Sequence, residues 1–268
     1  ISSTFSDSAA GGAIYAGANC NLTIKDNGGN GPSGQAASSF ISNWTYAGTS
    51  TDSGSTYTAK TSEGGAIYAG TSSTLTISNS TDGSSNNSAT FSLNGIAPDT
   101  GVRTTDGGAI YLASLAQASI SNALFTTNKA TSAGGAIYSE GGIITSGSTV
   151  VANIAISGSS FGTNGGSDGN SAGSKGGAIY LGASGYLTVG DYAATAGTVH
   201  SIFYGNIAGG SVSTAWGGAI YGALSADMTI ANAVFNGNSA SSTEGSYGGA
   251  IASFGGLSSD TAVIGITG

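Results

Sequence analysis

The sequence predicts an all-β fold, a right-handed parallel β-helix (β-solenoid) of about seven three-sided coils, with residues 1–268 forming a single solenoid domain. Three observations carry this. The tetrapeptide Gly-Gly-Ala-Ile occurs seven times, beginning at Gly11, Gly64, Gly107, Gly134, Gly176, Gly217 and Gly248. A phenylalanine precedes each occurrence, and this slot uses seven of the eight in the chain. A short β-branched segment follows most of the glycine pairs at one fixed distance. Repetition with a period of tens of residues marks stacked supersecondary units, none of which can bury its apolar face alone.

Gly-Gly-Ala-Ile-Tyr reads as the first strand of each coil. Six copies end in tyrosine (Tyr15, Tyr68, Tyr111, Tyr138, Tyr180 and Tyr221) and the seventh in Ala252. Period-two alternation sends Ile14, Ile67, Ile110, Ile137, Ile179, Ile220 and Ile251 inward as one ladder. It sets alanine and tyrosine on the opposite face, so the tyrosines form a candidate surface stripe of stacked rings with wet hydroxyls. The glycines allow a tight corner or a close approach between coils. The second strand comprises Leu22-Thr23-Ile24, Leu75-Thr76-Ile77, Ala118-Ser119-Ile120, Leu187-Thr188-Val189 and Met228-Thr229-Ile230, each starting eleven residues after the first glycine. The fourth repeat departs from this register, and Val151 to Ile156 takes the place after an insertion.

The third strand centres on Phe5, Phe40, Phe91, Phe125, Phe161, Phe203 and Phe235, a second inward ladder. Six of these spell Phe-x-x-Asn, ending at Asn43, Asn94, Asn128, Asn164, Asn206 and Asn238, while the first ends at Ser8. The asparagines form a column at a turn, with amides bonding up and down the stack. Successive glycine pairs lie 53, 43, 27, 42, 41 and 31 residues apart. The shortest interval suffices for one three-sided coil, so the excess belongs to loops. Parallel strands need long returns, and the other two sides of the coil supply them. The right hand follows from the preference of parallel crossovers.

Composition excludes several classes. Only 7% of residues are charged, yet 39% are hydrophobic, unlike a disordered chain. The 48 glycines have no three-residue period and only 2 prolines accompany them, which excludes collagen. A net charge of −8 disfavours nucleic acid and anionic membrane surfaces. No apolar run is long enough to span a bilayer as a helix. Cys20 has no partner for an internal disulfide. The chain starts without methionine or a signal peptide, as a processed or cut product does.

Gly-Gly-Ala-Ile alternating with Phe-x-x-Asn, from Phe5 to Ile251, resembles the repeat of chlamydial-type polymorphic outer-membrane proteins. The resemblance implies an autotransporter passenger with a right-handed β-helix, a bacterial cell-surface location, a role in adhesion or structure, and no catalytic residues to carry over.

The residues themselves offer little chemistry. His200 is the only histidine and reads as a surface residue, and Cys20 as an inert or lightly buried thiol in a loop. Glu63 and Asp106 occupy the slot before the glycine pair in adjacent repeats, but that slot also holds Ala10, Ala133, Lys175, Trp216 and Tyr247 and reads as a variable, solvated corner. The segments around Asp26 and Asp168 lack the tandem motif of calcium-binding repeats and read as turns. Asn21, Asn43, Asn79 and Asn86 begin N-glycosylation triplets, as chance produces in so Asn-, Ser- and Thr-rich a chain. No catalytic, metal or cofactor-binding residue is assigned.

Three functions remain: a structural subunit stacking end to end into a cell-surface fibre, the passenger segment of an adhesin with an unidentified host ligand, and, weakest, a polysaccharide-degrading enzyme. The fibre expectation rests on phase. Placing one copy after another puts the next Phe5 25 positions after Gly248, inside the internal range of 18 to 29.

Overall fold

The computed structural model describes residues 10–25, 38–45, 49–52, 55–58, 62–78, 89–97, 101–102, 104–163, 165–190, 200–255 and 264–267. All regular structure among them is β, and no helix is long and apolar enough to cross a membrane. The chain winds as a parallel β-solenoid. One seven-stranded parallel sheet collects the Ile-Tyr strands, from Ile14–Ala16 to Ile251–Ser253. A second seven-stranded sheet runs from Asn21–Lys25 to Ile264–Thr267, and a six-stranded third runs from Ser39–Ile41 to Ala233–Asn236. Each of the first six coils therefore contributes one strand to each sheet and the seventh one to the first two, and the hydrogen bonds that a lone coil could not make run to neighbouring coils.

Register is strict. Ile14, Ile67, Ile110, Ile137, Ile179, Ile220 and Ile251 pair in one column, and the tyrosines pair in the next. Phe40, Phe91, Phe125, Phe161, Phe203 and Phe235 form a third column with ring centroids 4.7–4.8 Å apart and planes within 8°. That interval is the strand spacing itself, and it falls within the range where parallel aromatic rings attract. Phe91, Phe125, Phe161 and Phe203 are fully buried, as are the five central isoleucines. Phe5 lies outside the described residues.

The glycine pair turns the corner into the first sheet. The first glycine has φ between 60° and 66° in all seven copies, a left-handed conformation that other L residues adopt at a cost. The second glycine is needed for a different reason: a Cβ on Gly65, Gly108, Gly135, Gly177 or Gly218 would overlap the carbonyl oxygen of the equivalent glycine one coil on. Alanine departs from the expected alternation. Ala66, Ala109, Ala136, Ala178 and Ala219 are fully buried in the same core as the isoleucines. The regular strand starts only at isoleucine, so alanine belongs to the corner, where period-two alternation does not hold. There the N–H groups of Ala66 and Ile67 both donate to the carbonyl of Ala109, each at 2.9 Å, and the following coils repeat the pattern.

The asparagine column lies inside the wall. Asn43, Asn94, Asn128 and Asn206 are fully buried, and the amide Nδ2 of each donates to the Oδ1 of the next column member at 2.8–3.0 Å. The second Nδ2 hydrogen of Asn94, Asn128, Asn206 and Asn238 reaches the carbonyl of a phenylalanine on the preceding coil, at 2.8–2.9 Å. Each Oδ1 from Asn94 to Asn238 also accepts a backbone N–H. One expected member is wrong. Asn164 lies outside the described residues, and the fourth-coil slot is held by Asn170, fully buried between Asn128 and Asn206. The cause is a small inserted loop after Phe161, closed by Asp168, whose two carboxylate oxygens accept the Thr163 N–H and hydroxyl at 2.8 and 2.7 Å. The Phe-x-x-Asn spelling at Phe161 is coincidental.

Two further features add to the three-sided pattern. A short four-stranded ladder, Lys129–Ala130, Ser171–Ala172, Ile207–Gly209 and Ser239–Ser241, follows the asparagine column. Its two- and three-residue strands are too short to show a period. The fourth-coil insertion is an antiparallel hairpin, Ile144–Ser146 with Thr149–Val151, after which Ile154–Ser157 supplies the second-sheet strand.

Two stability predictions follow from this packing. Ile137→Asp, which buries an unpaired charge in the central coil, is expected to cost more than about 4 kcal/mol and to abolish the cooperative unfolding transition. Asn170→Ala orphans the amide and N–H of Asn128 and is expected to cost on the order of 3 kcal/mol, whereas Asn164→Ala is expected to stay within about 0.5 kcal/mol. Denaturant melts of the two alanine variants check the column assignment directly.

Candidate functional site: the tyrosine column and its charged flank

The tyrosines project from the outer side of the first sheet and stack on one another. Centroids from Tyr15 through Tyr68, Tyr111, Tyr138 and Tyr180 to Tyr221 are separated by 5.0, 5.4, 4.9, 4.5 and 5.4 Å. Only the last pair tilts appreciably, by 27°. Stacking consumes the ring faces, so the column offers edges and hydroxyls to solvent rather than flat platforms. Exposure is uneven: Tyr15 is 65% exposed, but Tyr111 and Tyr221 are only 5% exposed. The expected uniform stripe of wet hydroxyls is therefore a packed column that opens mainly at Tyr15.

The residues that seal it come from the slot before the glycine pair and from Glu140. That slot is a paired column rather than a variable loop: Ala10, Glu63, Asp106, Ala133, Lys175 and Trp216 bridge in succession from coil to coil. The Tyr111 hydroxyl donates to Glu140 Oε1 at 2.6 Å. The Lys175 ammonium stands 5.3 Å above the Tyr221 ring, close enough for cation–π attraction. Trp216 meets Tyr221 edge-on at 6.2 Å and stacks on Tyr247 at 4.0 Å. Neither Glu140 nor the Trp216–Tyr247 stack was singled out from the sequence. Only the recurrence of the pre-glycine slot could have pointed to the second.

The electrostatics follow from this enclosure. Burial raises the pKa of Tyr68, Tyr111, Tyr138, Tyr180 and Tyr221 above the usual phenol value. At Tyr111 the bond to Glu140 and the charge of Glu63 add to burial. Burial also raises the carboxyl of Asp106, opposed by hydrogen bonds from the Ser132 side chain and the Ala133 N–H.

The other candidate groups are scattered over separate coils. His200 is exposed, with Nδ1 3.2 Å from the Asn232 carbonyl oxygen. Cys20 is exposed at the corner before the second sheet, not lightly buried. Asn21 is exposed, but Asn43 is sealed in the asparagine column and cannot accept a glycan. Among the described residues, no three His, Cys, Asp or Glu side chains come together as metal ligands would.

With this geometry in place, the comparisons are specific. Residues 122–140 and 200–223 each match the family model of the Chlamydia polymorphic membrane protein repeat. No curated protein and no solved structure matches the chain. Both matched segments run from the phenylalanine strand through a column asparagine and the glycine corner to a column tyrosine, Phe125 to Tyr138 and Phe203 to Tyr221.

The raised phenols predict an alkaline response. The folded state holds these protons more tightly than the unfolded chain, whose tyrosines titrate near pH ~10. Stability is therefore intact below about pH 10 and falls as pH rises above it towards the folded values. Phenolate absorbance should show part of the tyrosine titration delayed until circular dichroism reports unfolding. A titration completed while the fold is intact would contradict the packed column.

Proposed function

We propose that this chain is a surface-displayed passenger segment of autotransporter type, a non-enzymatic solenoid rod on the outside of a bacterial cell that serves adhesion. The observation that carries this reading is the pair of repeat matches, each covering a phenylalanine strand, the glycine corner and the Ile-Tyr strand that follows. It is supported by three of the described acidic groups, which are already engaged: Asp106 accepts from the Ala133 N–H, Asp168 is bound to Thr163, and Glu140 is bound to Tyr111. A polysaccharide-cleaving site needs a pair of carboxyl groups free to face a glycosidic bond.

The decisive experiment is antibody labelling of intact and permeabilised source cells, with protease shaving alongside. Labelling of intact cells that shaving removes is expected, and signal confined to permeabilised cells would end the passenger reading. Incubating the purified chain with neutral and acidic polysaccharides is expected to release no product, and any cleavage would restore the enzyme reading.

A second reading is a homopolymeric fibre of end-to-end copies. In its favour, all three main sheets are in-register parallel ladders, a geometry that another coil of the same kind extends without change. Electron microscopy of concentrated protein distinguishes the two, since rods of fixed length are incompatible with the fibre.

A further inference from the structure

The fourth-coil hairpin stands beside the second sheet, and a cleft of about 300 Å³ opens on the side that faces the N-terminal coils. Thr74 and Gln117, direct partners on adjacent strands, line it from the sheet. Ile144 and Thr145 line it from the hairpin, preceded by Ile143, which is 62% exposed. Ser72 and Leu115 close it at the corners that lead into the second sheet. Its polar groups are uncommitted. The Gln117 carboxamide and the Ser72, Thr74 and Thr145 hydroxyls make no hydrogen bond among the described residues, and only the Ser73 hydroxyl is engaged, donating to the Gly70 carbonyl. Asn153, the next member of the Thr74–Gln117 column, is buried, and its Nδ2 has no acceptor among the described residues. Leu115 is the exception at its corner. It holds a φ of 60° and is 39% exposed. The same slot, eight residues after the first glycine, carries Asn19, Ser72, Gly142, Ser184 and Ser225 in other coils, all at positive φ. A large aliphatic residue is disfavoured in that conformation, and strain of this kind concentrates where ligands are clamped.

We propose that this cleft binds a neutral N-acetylhexosamine through its acetamido group. The Gln117 carboxamide offers both a donor and an acceptor, which match the carbonyl and the N–H of an acetamide. The Ser72, Thr74 and Thr145 hydroxyls can each donate or accept, which matches the sugar hydroxyls. Leu115, Ile143 and Ile144 supply the apolar contact. No aromatic ring lines the cleft to stack on the flat face of a pyranose, so the apolar part of the ligand is small, as a methyl group is. No lysine or arginine lines it either, and the chain carries a net charge of −8, so acidic sugars are disfavoured. The inference concerns the purified chain and does not depend on how the chain is displayed, so its failure leaves the passenger reading intact.

The test is binding of the folded chain to immobilised oligosaccharides ending in N-acetylglucosamine or N-acetylgalactosamine. Glucose, galactose and de-acetylated glucosamine oligosaccharides serve as controls, and sialylated glycans as the acidic acetamido probe. Saturable binding to at least one neutral N-acetylated glycan is expected, with the controls bound roughly tenfold more weakly or not at all. Gln117→Met keeps the side-chain stem and removes both hydrogen-bonding ends. It should weaken binding roughly tenfold and leave the melting temperature unchanged, because the carboxamide bonds to nothing in the protein. Ile143→Ser, at a mainly exposed position, should weaken binding in the same direction. Val150→Ser, on the other strand of the hairpin and 49% exposed, should leave it unchanged. Retention of no N-acetylated glycan overturns the proposal. So does equal binding of the de-acetylated sugar, binding indifferent to both Gln117→Met and Ile143→Ser, or a preference for the sialylated glycans.

Discussion

Successive coils of this protein approach so closely at the glycine corners that one atom more would separate them, and the rest of the structure depends on that approach. The second glycine of each of the first six pairs faces the carbonyl of its counterpart one coil on, and this contact admits one relative position of the two coils. Once the corners are in phase, isoleucine must lie on isoleucine, tyrosine on tyrosine and phenylalanine on phenylalanine. A one-residue slip would send an entire apolar set to the wrong face. Repetition of side chains and the absence of a side chain are thus two aspects of one constraint. The glycines fix the register, and the large residues make every other register worse.

This constraint explains what could be read from the sequence and what could not. The isoleucine and phenylalanine ladders were legible because each side chain serves the same packing role in every coil and cannot drift relative to its corner. The asparagines were legible only where no insertion intervenes. At Phe161 the loop closed by Asp168 shifts the column to Asn170, and local spelling carries no information about which of two nearby amides the stack selects. The corner alanines were misassigned for a different reason: alternation is a property of extended backbone, and the chain is still turning when it reaches them. The tyrosine column had the right period, but its enclosure comes from Glu140, Lys175 and Trp216; the slot of the last two recurs, while the residue in it differs from coil to coil.

The inserted segments have a different relation to the core. Coil length varies without disturbing the ladders because a loop leaves and re-enters at a corner, where closing a longer loop costs little more than closing a short one. Diversity of surface is therefore nearly independent of stability of scaffold. The fourth-coil hairpin illustrates this: its strands pair only with each other, and Ile154–Ser157 resumes the second sheet directly after it. Any recognition surface is expected on such insertions and on the strand faces beside them, as in other proteins whose loops carry function on a rigid frame.

The asparagine column has a direction. From Asn43 to Asn206 each side-chain amide donates one hydrogen to the next column amide towards the C-terminus, and from Asn94 to Asn238 each Oδ1 accepts from the one before. The amide dipoles therefore add head to tail along the solenoid axis, as peptide dipoles add along a helix. Each bond polarises the next, so an amide in the middle of the column is held more strongly than one at either end. The column gives the rod an electrical polarity independent of its formal charges, with its partial positive pole towards the C-terminal coils. Two rods lying side by side would feel this as a preference for antiparallel alignment, and two in line as a preference for head to tail.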